Sequence, residues 1–130
     1  MIRNYENSDL EEIKRIHSLS GLPQNCLPDP TQKQFVVKLA AEEQGRVVQA
    51  GFVRLTGEAY VLVDHRFSTP ELRWEILQSL VIRGLHDAGK KDLTEVTAWV
   101  PPKLAESFEP RLKALSFERS PWPSFTAILK

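Results

Sequence analysis

The chain has 130 residues, of which 42% are hydrophobic and 26% are charged, and its 17 basic side chains balance its 17 acidic ones. This length gives one core of ordinary size and excludes two full domains, so we expect a single soluble domain over residues 1–130. The zero net charge excludes the diffuse positive field that draws proteins to nucleic acid or anionic lipid. We therefore expect no nucleic-acid partner.

The cysteine content and the hydropathy restrict the cellular location that we expect for the protein. Cys26 is the only cysteine, so no intramolecular disulfide and no cysteine-based zinc site is expected, and a reducing, cytoplasmic location is the simplest interpretation. The first residues lack the apolar core of a signal peptide, and no apolar run approaches the roughly 18–20 residues of a membrane span. The sequence thus predicts no membrane association.

The N-terminal half predicts one helix among several strands. A β-like opening at residues 2–5 precedes an apparent capping box, Ser8-Asp9-Leu10-Glu11, and a helix over about residues 9–19 that ends at Gly21. Residues 21–31 contain three prolines and are predicted to form a loop. Alternating apolar residues then predict strands at 35–41, 46–55 and 58–63, joined by short glycine-containing turns as an antiparallel meander.

The C-terminal half returns to helical spacing. Thr69 and Pro70 mark the start of a helix over about residues 70–88, which we expect to end at Gly89. Residues 93–100 form a predicted strand. Helical spacing then runs from Leu104 to Leu115, where Pro110 indicates either a kink or a later start. Two short strands are expected at 117–118 and 125–129. This order predicts an α/β fold with a mixed, mostly antiparallel sheet and helices on both faces.

Several local sequences carry a resemblance to a known family. They are Ile2-Arg3-Asn4-Tyr5 with Ser8 to Ile13, the hairpin Gly45 to Phe52, Val100-Pro101, and Leu115-Ser116-Phe117. Together with the element order they resemble the GNAT superfamily of N-acetyltransferases, which use acetyl-CoA to acylate an amine. The resemblance covers nearly the whole chain and implies a GNAT-like fold. Ser116 stands where the family has a glycine.

The resemblance implies a cofactor site over residues 63–73. There the family typically writes Val-x-Pro-x-Tyr-Arg-Gly-x-Gly-Ile-Gly, whose glycines let backbone N–H groups approach the CoA pyrophosphate at a helix N-terminus. The residues implied to bind acetyl-CoA here are Val63, Phe67, Ser68, Thr69, Leu72 and Arg73. Glycines are replaced by Thr69, Glu71 and Arg73, and Glu71 adds a negative charge near the expected phosphate.

The attacking amine needs a base, for which Asp64 and His65 are the candidates, with Glu58 and Glu95 as further options. Asp64 and His65 are also residue types that commonly occupy turns, so an ordinary structural role is the alternative. The family's tyrosine on the last helix, which protonates the departing thiolate, corresponds to Leu112 here. Tyr60 either points into the cleft to take that role or packs in the sheet.

Other chemistries have weaker support. The three histidines are far apart in sequence, so no metal site is expected, and His17 and His86 suit structural roles. Cys26 lacks an identifiable activating partner. Trp122 stands between two prolines and is a candidate binding or dimer contact.

Two functions therefore remain open. One is an N-acetyltransferase that transfers the acetyl group of acetyl-CoA directly to a small-molecule or peptide amine. The other is a catalytically inactive GNAT-like binding or interaction module, favoured by the missing glycines and tyrosine. A homodimer is compatible with either function.

Overall fold

The computed structural model describes residues 1–129. It is a mixed α/β structure with a three-stranded antiparallel sheet, a two-stranded parallel sheet and three helices. The elements are β1 (Ile2–Asn4), α1 (Leu10–Ser20), β2 (Phe35–Glu43), β3 (Arg46–Arg54), β4 (Gly57–Ala59), α2 (Pro70–Lys90), β5 (Val96–Ala98) and α3 (Pro102–Ala114). The chain divides into two compact units: Met1–Gly57 with Asp92–Glu95, and Glu58–Lys91 with the described residues from Val96 onward.

The sheet of the first unit has the order β1-β2-β3, with both pairs antiparallel. A two-residue turn, Gln44-Gly45, joins β2 to β3, and both residues have positive φ (52° and 73°). Positive φ at both positions is the mark of a type I′ turn, whose twist matches that of the flanking strands. The hairpin predicted from the glycine-containing turn is confirmed.

The start of α1 differs from the predicted capping box. The Asp9 carboxylate, not the Ser8 hydroxyl, accepts a backbone hydrogen bond, from the Glu6 N–H at 2.8 Å. Glu11 instead pairs with Lys14 one turn later on the exposed face of the helix. The helix ends at Gly21, as predicted, with φ 72°. The capping box that forms joins Glu6 and Asp9 across a 3-10 turn, Asn7–Asp9, and α1 itself has no side-chain cap at its N-terminus.

Arg3 on β1 is the partner of the Asp9 carboxylate, and the pair joins three elements. Arg3 donates from Nη1 and Nη2 to the two carboxylate oxygens of Asp9, both at 2.9 Å, and from Nε to Glu42 on β2, also at 2.9 Å. Asp9 is only 6% exposed. The guanidinium lowers the pKa of Asp9 from 3.8 to about 2, mainly through these hydrogen bonds. A bidentate pair of this kind specifies orientation as well as charge.

The apolar core of the first unit is small. Its buried hydrophobic side chains are Ile13 on α1, Ala40 on β2 and Val47 on β3. Phe52 adds edge-to-face contacts with Tyr5 and Phe35, at ring-centroid distances of 5.8 and 5.9 Å. One face of α1 therefore packs on the sheet, as its apolar spacing predicted.

The second unit contains a parallel pair of strands with α2 between them in the chain. Helix α2 begins as predicted, with Pro70 in its first turn and the Thr69 hydroxyl oxygen accepting from the Leu72 N–H at 3.2 Å. It passes the predicted stop at Gly89 and ends at Lys90. Gly89 does not adopt positive φ, so it does not form the left-handed end that was expected of it.

Helix α3 contains Pro110 rather than starting there, so the later start is excluded. Its end is stabilised by two backbone bonds: the Ser116 N–H donates to the Lys113 carbonyl at 3.0 Å, and the Phe117 N–H donates to the Leu112 carbonyl at 2.9 Å. This pattern is a Schellman motif with Ser116 at the left-handed position, φ 68°. The structure thus requires at Ser116 the conformation that glycine adopts most easily.

We expect Ser116→Gly to stabilise the second unit by about 1 kcal/mol, because a left-handed conformation costs a residue with a Cβ roughly that amount. All three tryptophans, Trp74, Trp99 and Trp122, belong to this unit. Their fluorescence during urea unfolding should therefore report the gain. The control Ser107→Gly, inside α3, should instead destabilise by about 0.5 kcal/mol. Equal effects of the two changes would contradict the assignment of strain to Ser116.

The predicted strand content is too high. Residues 117–118 and 125–129 have no strand pairing in the described chain, and β4 covers only two of the residues predicted at 58–63. Strand β5 is likewise shorter than the predicted 93–100 segment. The strands also form two sheets, with no β3–β4 pairing among residues 1–129, rather than one meander within a single mixed sheet. Strand pairing depends on a distant partner, which the local alternation of apolar residues does not specify.

Candidate functional site

A shallow groove in the second unit is the candidate site. It has a volume of about 210 Å³ and lies between the segment that follows β4 and one face of α2. Its lining is mostly apolar and consists of Leu62, Val63, Asp64, Phe67, Arg73, Ile76, Leu77 and Leu80. The helical members recur at three and four residues, which puts them on one face of α2. The groove therefore has an aliphatic wall with one acidic and one basic side chain.

The turn before α2 is built by Asp64. Its carboxylate accepts from the Arg66 N–H at 3.0 Å, and its carbonyl accepts from the Phe67 N–H at 3.2 Å. An aspartate that bonds the backbone two residues ahead stabilises a turn by itself. Ser68, next to Phe67, has a positive φ of 53°. Asp64 is thus both a turn-forming residue and a lining residue of the groove.

Most backbone donors in the first turn of α2 already have partners. Pro70 has no N–H, the Leu72 N–H donates to the Thr69 hydroxyl, and the Arg73 N–H donates to the Thr69 carbonyl at 3.0 Å. The Glu71 N–H is the remaining donor of this turn, and it belongs to the residue with the negative side chain. The helix end therefore offers an anion fewer backbone donors than a glycine-rich turn would.

Arg73 holds the turn against the helix. Its Nη1 donates to the carbonyls of Phe67 and Ser68, at 2.9 and 3.0 Å. These two bonds fix the residue with positive φ and orient Phe67 at the groove. The Arg73 side chain is thus already engaged in a structural contact where a cofactor phosphate was expected.

A second polar cluster lies at the parallel strand pair. The Glu58 carboxylate on β4 accepts from the Tyr60 hydroxyl at 3.2 Å and from the indole N–H of Trp99, just after β5. The hydrogen bond to this carboxylate raises the pKa of Tyr60 above its usual value. Tyr60 is 80% exposed, so it does not pack inside the sheet. Its hydroxyl is directed to Glu58 and its side chain is not among those that line the groove.

The structure brings together four of the nine predicted site residues. Val63, Asp64, Phe67 and Arg73 line the groove, Ser68 and Thr69 lie in the adjoining turn, and Leu72 donates its N–H to Thr69. His65 lies in the same turn and is exposed, whereas Tyr60 is held by Glu58. Sequence reasoning assigned no site role to Leu62, Ile76, Leu77 and Leu80. The helical spacing of Ile76, Leu77 and Leu80 could have indicated that they share one face of α2. The same spacing is also typical of residues that pack in a core.

The first unit contains a larger, open cavity of about 610 Å³. It is bounded by α1, the proline-containing segment and the strands β2 and β3, and its lining includes His17, Cys26 and Arg54. His17 Nε2 lies 2.9 Å from the Pro23 carbonyl, and Cys26 is exposed. The Arg54 guanidinium pairs with Glu95.

Among residues 1–129, no three His, Cys, Asp or Glu side chains come together as a group that could hold a metal ion. No helix in this part of the chain is both long enough and apolar enough to cross a membrane.

Comparison with known proteins adds no further constraint: no family model, no curated protein and no solved structure matches the chain.

Proposed function

We propose that the chain is a GNAT-like N-acetyltransferase that transfers the acetyl group of acetyl-CoA to a small-molecule or peptide amine. The observation that supports it is the groove, in which Val63, Phe67 and Arg73 of the resembling segment lie along the N-terminal part of α2. The proposal includes a GNAT-like arrangement of one domain and a cytoplasmic location, which the single cysteine favours.

The groove suits the pantetheine arm of CoA better than it suits the pyrophosphate. The aliphatic wall of the groove suits the apolar stretches of the pantetheine arm. For the pyrophosphate, the available donors are the Ser68 and Thr69 hydroxyls, the Glu71 N–H and the positive end of the α2 dipole. The Glu71 carboxylate opposes them. We expect binding that is weak and dominated by the arm.

Acetyl-CoA would supply a thioester already activated for attack, so no covalent enzyme intermediate is needed. The amine must be held in line with the thioester and must lose a proton. Asp64, which lines the groove, and His65, one residue further along the same turn, are the groups we propose to accept that proton. Tyr60 is the candidate donor to the departing thiolate, provided that it leaves Glu58.

A second candidate function has its own support. The first turn of α2 keeps only one backbone donor for an anion, and the side chain of that residue is Glu71. On α3, Leu112 occupies the position of the family's catalytic tyrosine. Neither change would impair a GNAT-like fold that no longer transfers acetyl groups and serves as a binding module.

Removing the charge of Glu71 tests the cofactor site. We expect Glu71→Gln to tighten CoA binding by roughly fivefold, because about 1 kcal/mol of repulsion between two nearby charges at the surface is removed. The matched control is Glu75→Gln, which makes the same charge change one turn further along α2. Isothermal titration calorimetry with CoA on both variants and on the unaltered chain measures the difference.

The outcomes separate the two functions. Neither heat nor a rise in melting temperature at millimolar CoA would overturn the cofactor proposal, since a ligand selective for the folded state must stabilise it. Binding without acetylated product from a panel of amines and peptides would support the binding module instead. Normal turnover by the Asp64→Asn variant would show that Asp64 is not the base.

A further inference from the structure

The open cavity of the first unit has walls from three parts of the chain. Its members from α1 recur at spacings of three and four residues, which places them on one side of that helix: Ile13, Ile16, His17 and Ser20. Its members from β3 recur at spacings of two, so they project from one face of the strand: Ala50, Phe52 and Arg54. The proline-containing segment forms the third wall. At about 610 Å³, the cavity is large enough for a small organic molecule.

The sheet wall of the cavity is aromatic next to its basic group. Phe35 and Phe52 lie edge to face with ring centroids 5.9 Å apart, and each side chain is half-buried. Phe35 pairs in register with Arg54, and Phe52 precedes Arg54 by two residues on β3. Directly opposite pairs and alternate residues share one face of a sheet, so both rings lie on the same face as the guanidinium. A molecule that binds Arg54 can therefore cover both rings with its apolar part.

Arg54 carries the positive charge of the cavity. Within the described chain, no other arginine and no lysine lines it. The Arg54 Nη2 donates to a carboxylate oxygen of Glu95, which belongs to the same unit, and this bond leaves the other N–H groups of the guanidinium fork available. The Glu95 side chain is 52% exposed, and ion pairs at the surface contribute little to stability. Another carboxylate can therefore compete with Glu95 for Arg54.

We propose that this cavity binds a small organic monocarboxylate with an aromatic or branched apolar body. The ligand carboxylate accepts from the fork of Arg54, which matches a carboxylate with two parallel hydrogen bonds, and the body packs on Phe35 and Phe52. Glu95 leaves Arg54 when the ligand binds. A carboxylate is the group that Arg54 already holds in the structure. The inference goes beyond acetyl transfer, does not depend on it, and uses no residue of the groove beside α2.

Asp29, the acidic side chain in the lining, favours one negative charge on the ligand rather than two. Its Oδ1 accepts from the Thr31 N–H at 3.0 Å and from the Thr31 hydroxyl at 2.6 Å, so this carboxylate is engaged in the turn of its own segment. It is therefore less available to a cationic ligand than Arg54 is to an anion. Because one carboxylate accompanies one guanidinium in the lining, a dianion such as a phosphate ester meets more repulsion than a monocarboxylate does.

Cys26 allows occupancy to be measured, because it is the only cysteine of the chain, is exposed and lines the cavity. The probe is 3-phenylpropionate, titrated calorimetrically into the full chain. At about ten times its Kd it leaves roughly one cavity in ten open, so alkylation of Cys26 by iodoacetamide should slow about tenfold. The comparison compounds are 3-phenylpropylamine, which reverses the charge, and propionate, which lacks the ring, and both should protect far less. No binding of 3-phenylpropionate at millimolar concentration, no protection by it, or equal protection by the amine would overturn the proposal.

Substitution of the two paired residues should give effects of opposite sign. We expect Arg54→Gln to weaken binding of 3-phenylpropionate by roughly tenfold, because charge-assisted hydrogen bonds to the ligand are lost. We expect Glu95→Gln to tighten binding by about fivefold, because the competing charge is removed. The matched control is Arg46→Gln at the other end of β3, which makes the same charge change outside the lining of this cavity and should leave the affinity unchanged.

The sign of the Glu95 effect separates ligand binding from a purely structural role. If Arg54→Gln and Glu95→Gln both weaken binding, the ion pair only maintains the shape of the cavity and the proposed contact with Arg54 is wrong. CoA takes part in neither measurement, so a negative result here leaves the transferase proposal to its own titration.

Discussion

Asp9→Asn should lower the free energy of unfolding of the first unit by about 2 kcal/mol at neutral pH, because it leaves a partly buried guanidinium without its principal partner. Arg3 donates two hydrogen bonds to the Asp9 carboxylate, and the same carboxylate accepts the Glu6 N–H. An amide has one acceptor oxygen and would turn a donor toward Arg3. The change therefore weakens the junction of β1, β2 and the start of α1.

The same pair predicts how stability depends on pH. The pKa of Asp9 is lowered from 3.8 to about 2, so between these values the unfolded chain binds a proton that the folded chain does not. The stabilisation is complete above pH 4 and is lost as the pH falls toward 2. We expect the unaltered chain to lose stability over this window and Asp9→Asn to lose less.

The measurement must report on the first unit, which contains no tryptophan. Hydrogen exchange at the Tyr5 and Glu42 amides, which donate to the Lys38 and Met1 carbonyls, follows the opening of β1 directly. The matched control is Glu12→Gln, which removes a half-exposed carboxylate paired with Arg15 on α1 and should change stability by less than about 0.5 kcal/mol. Equal protection of these amides in both variants would contradict the role of Asp9.

Arg73→Met should release the turn before α2 and weaken CoA binding by roughly tenfold, since two charge-assisted hydrogen bonds hold that turn in the shape of the groove. Methionine keeps the length of the side chain and its apolar contacts but cannot donate to the Phe67 and Ser68 carbonyls. The released turn contains Phe67, a residue type that chymotrypsin cleaves after. Faster cleavage there is expected whether or not CoA binds.

Arg66→Met provides the control. It removes the same charge from the same turn, but only the backbone N–H of Arg66, which remains, takes part in the Asp64 turn. We expect its cleavage and its CoA titration to match those of the unaltered chain. If both variants weaken CoA binding equally, the contribution of Arg73 is a general charge effect rather than the positioning of the turn.

The sequence by itself determined the elements whose hydrogen bonds are local. Thr69 and Pro70 marked the start of α2 to the residue, Gly21 marked the end of α1, and the Gln44-Gly45 turn identified the β2–β3 hairpin. In each case the donors and acceptors lie within a few residues, so the pattern that predicts the element also contains its partners. The resembling segment at 63–73 likewise led to four residues that line the groove.

Only the tertiary structure decided which distant groups meet. Alternation in residues 58–63 and 125–129 predicted strands, but a strand exists only where a second strand satisfies its backbone, and β4 ends at Ala59 for that reason. Ser8 and Glu11 satisfied the local rule for a capping box, but the box forms between Glu6 and Asp9, and only the fold brings Arg3 of β1 to the Asp9 carboxylate. The same holds for Arg73, whose charge suggested a phosphate but whose Nη1 binds two carbonyls. Side-chain charge is visible in a sequence, whereas the partner that neutralises or orients it depends on the folded chain.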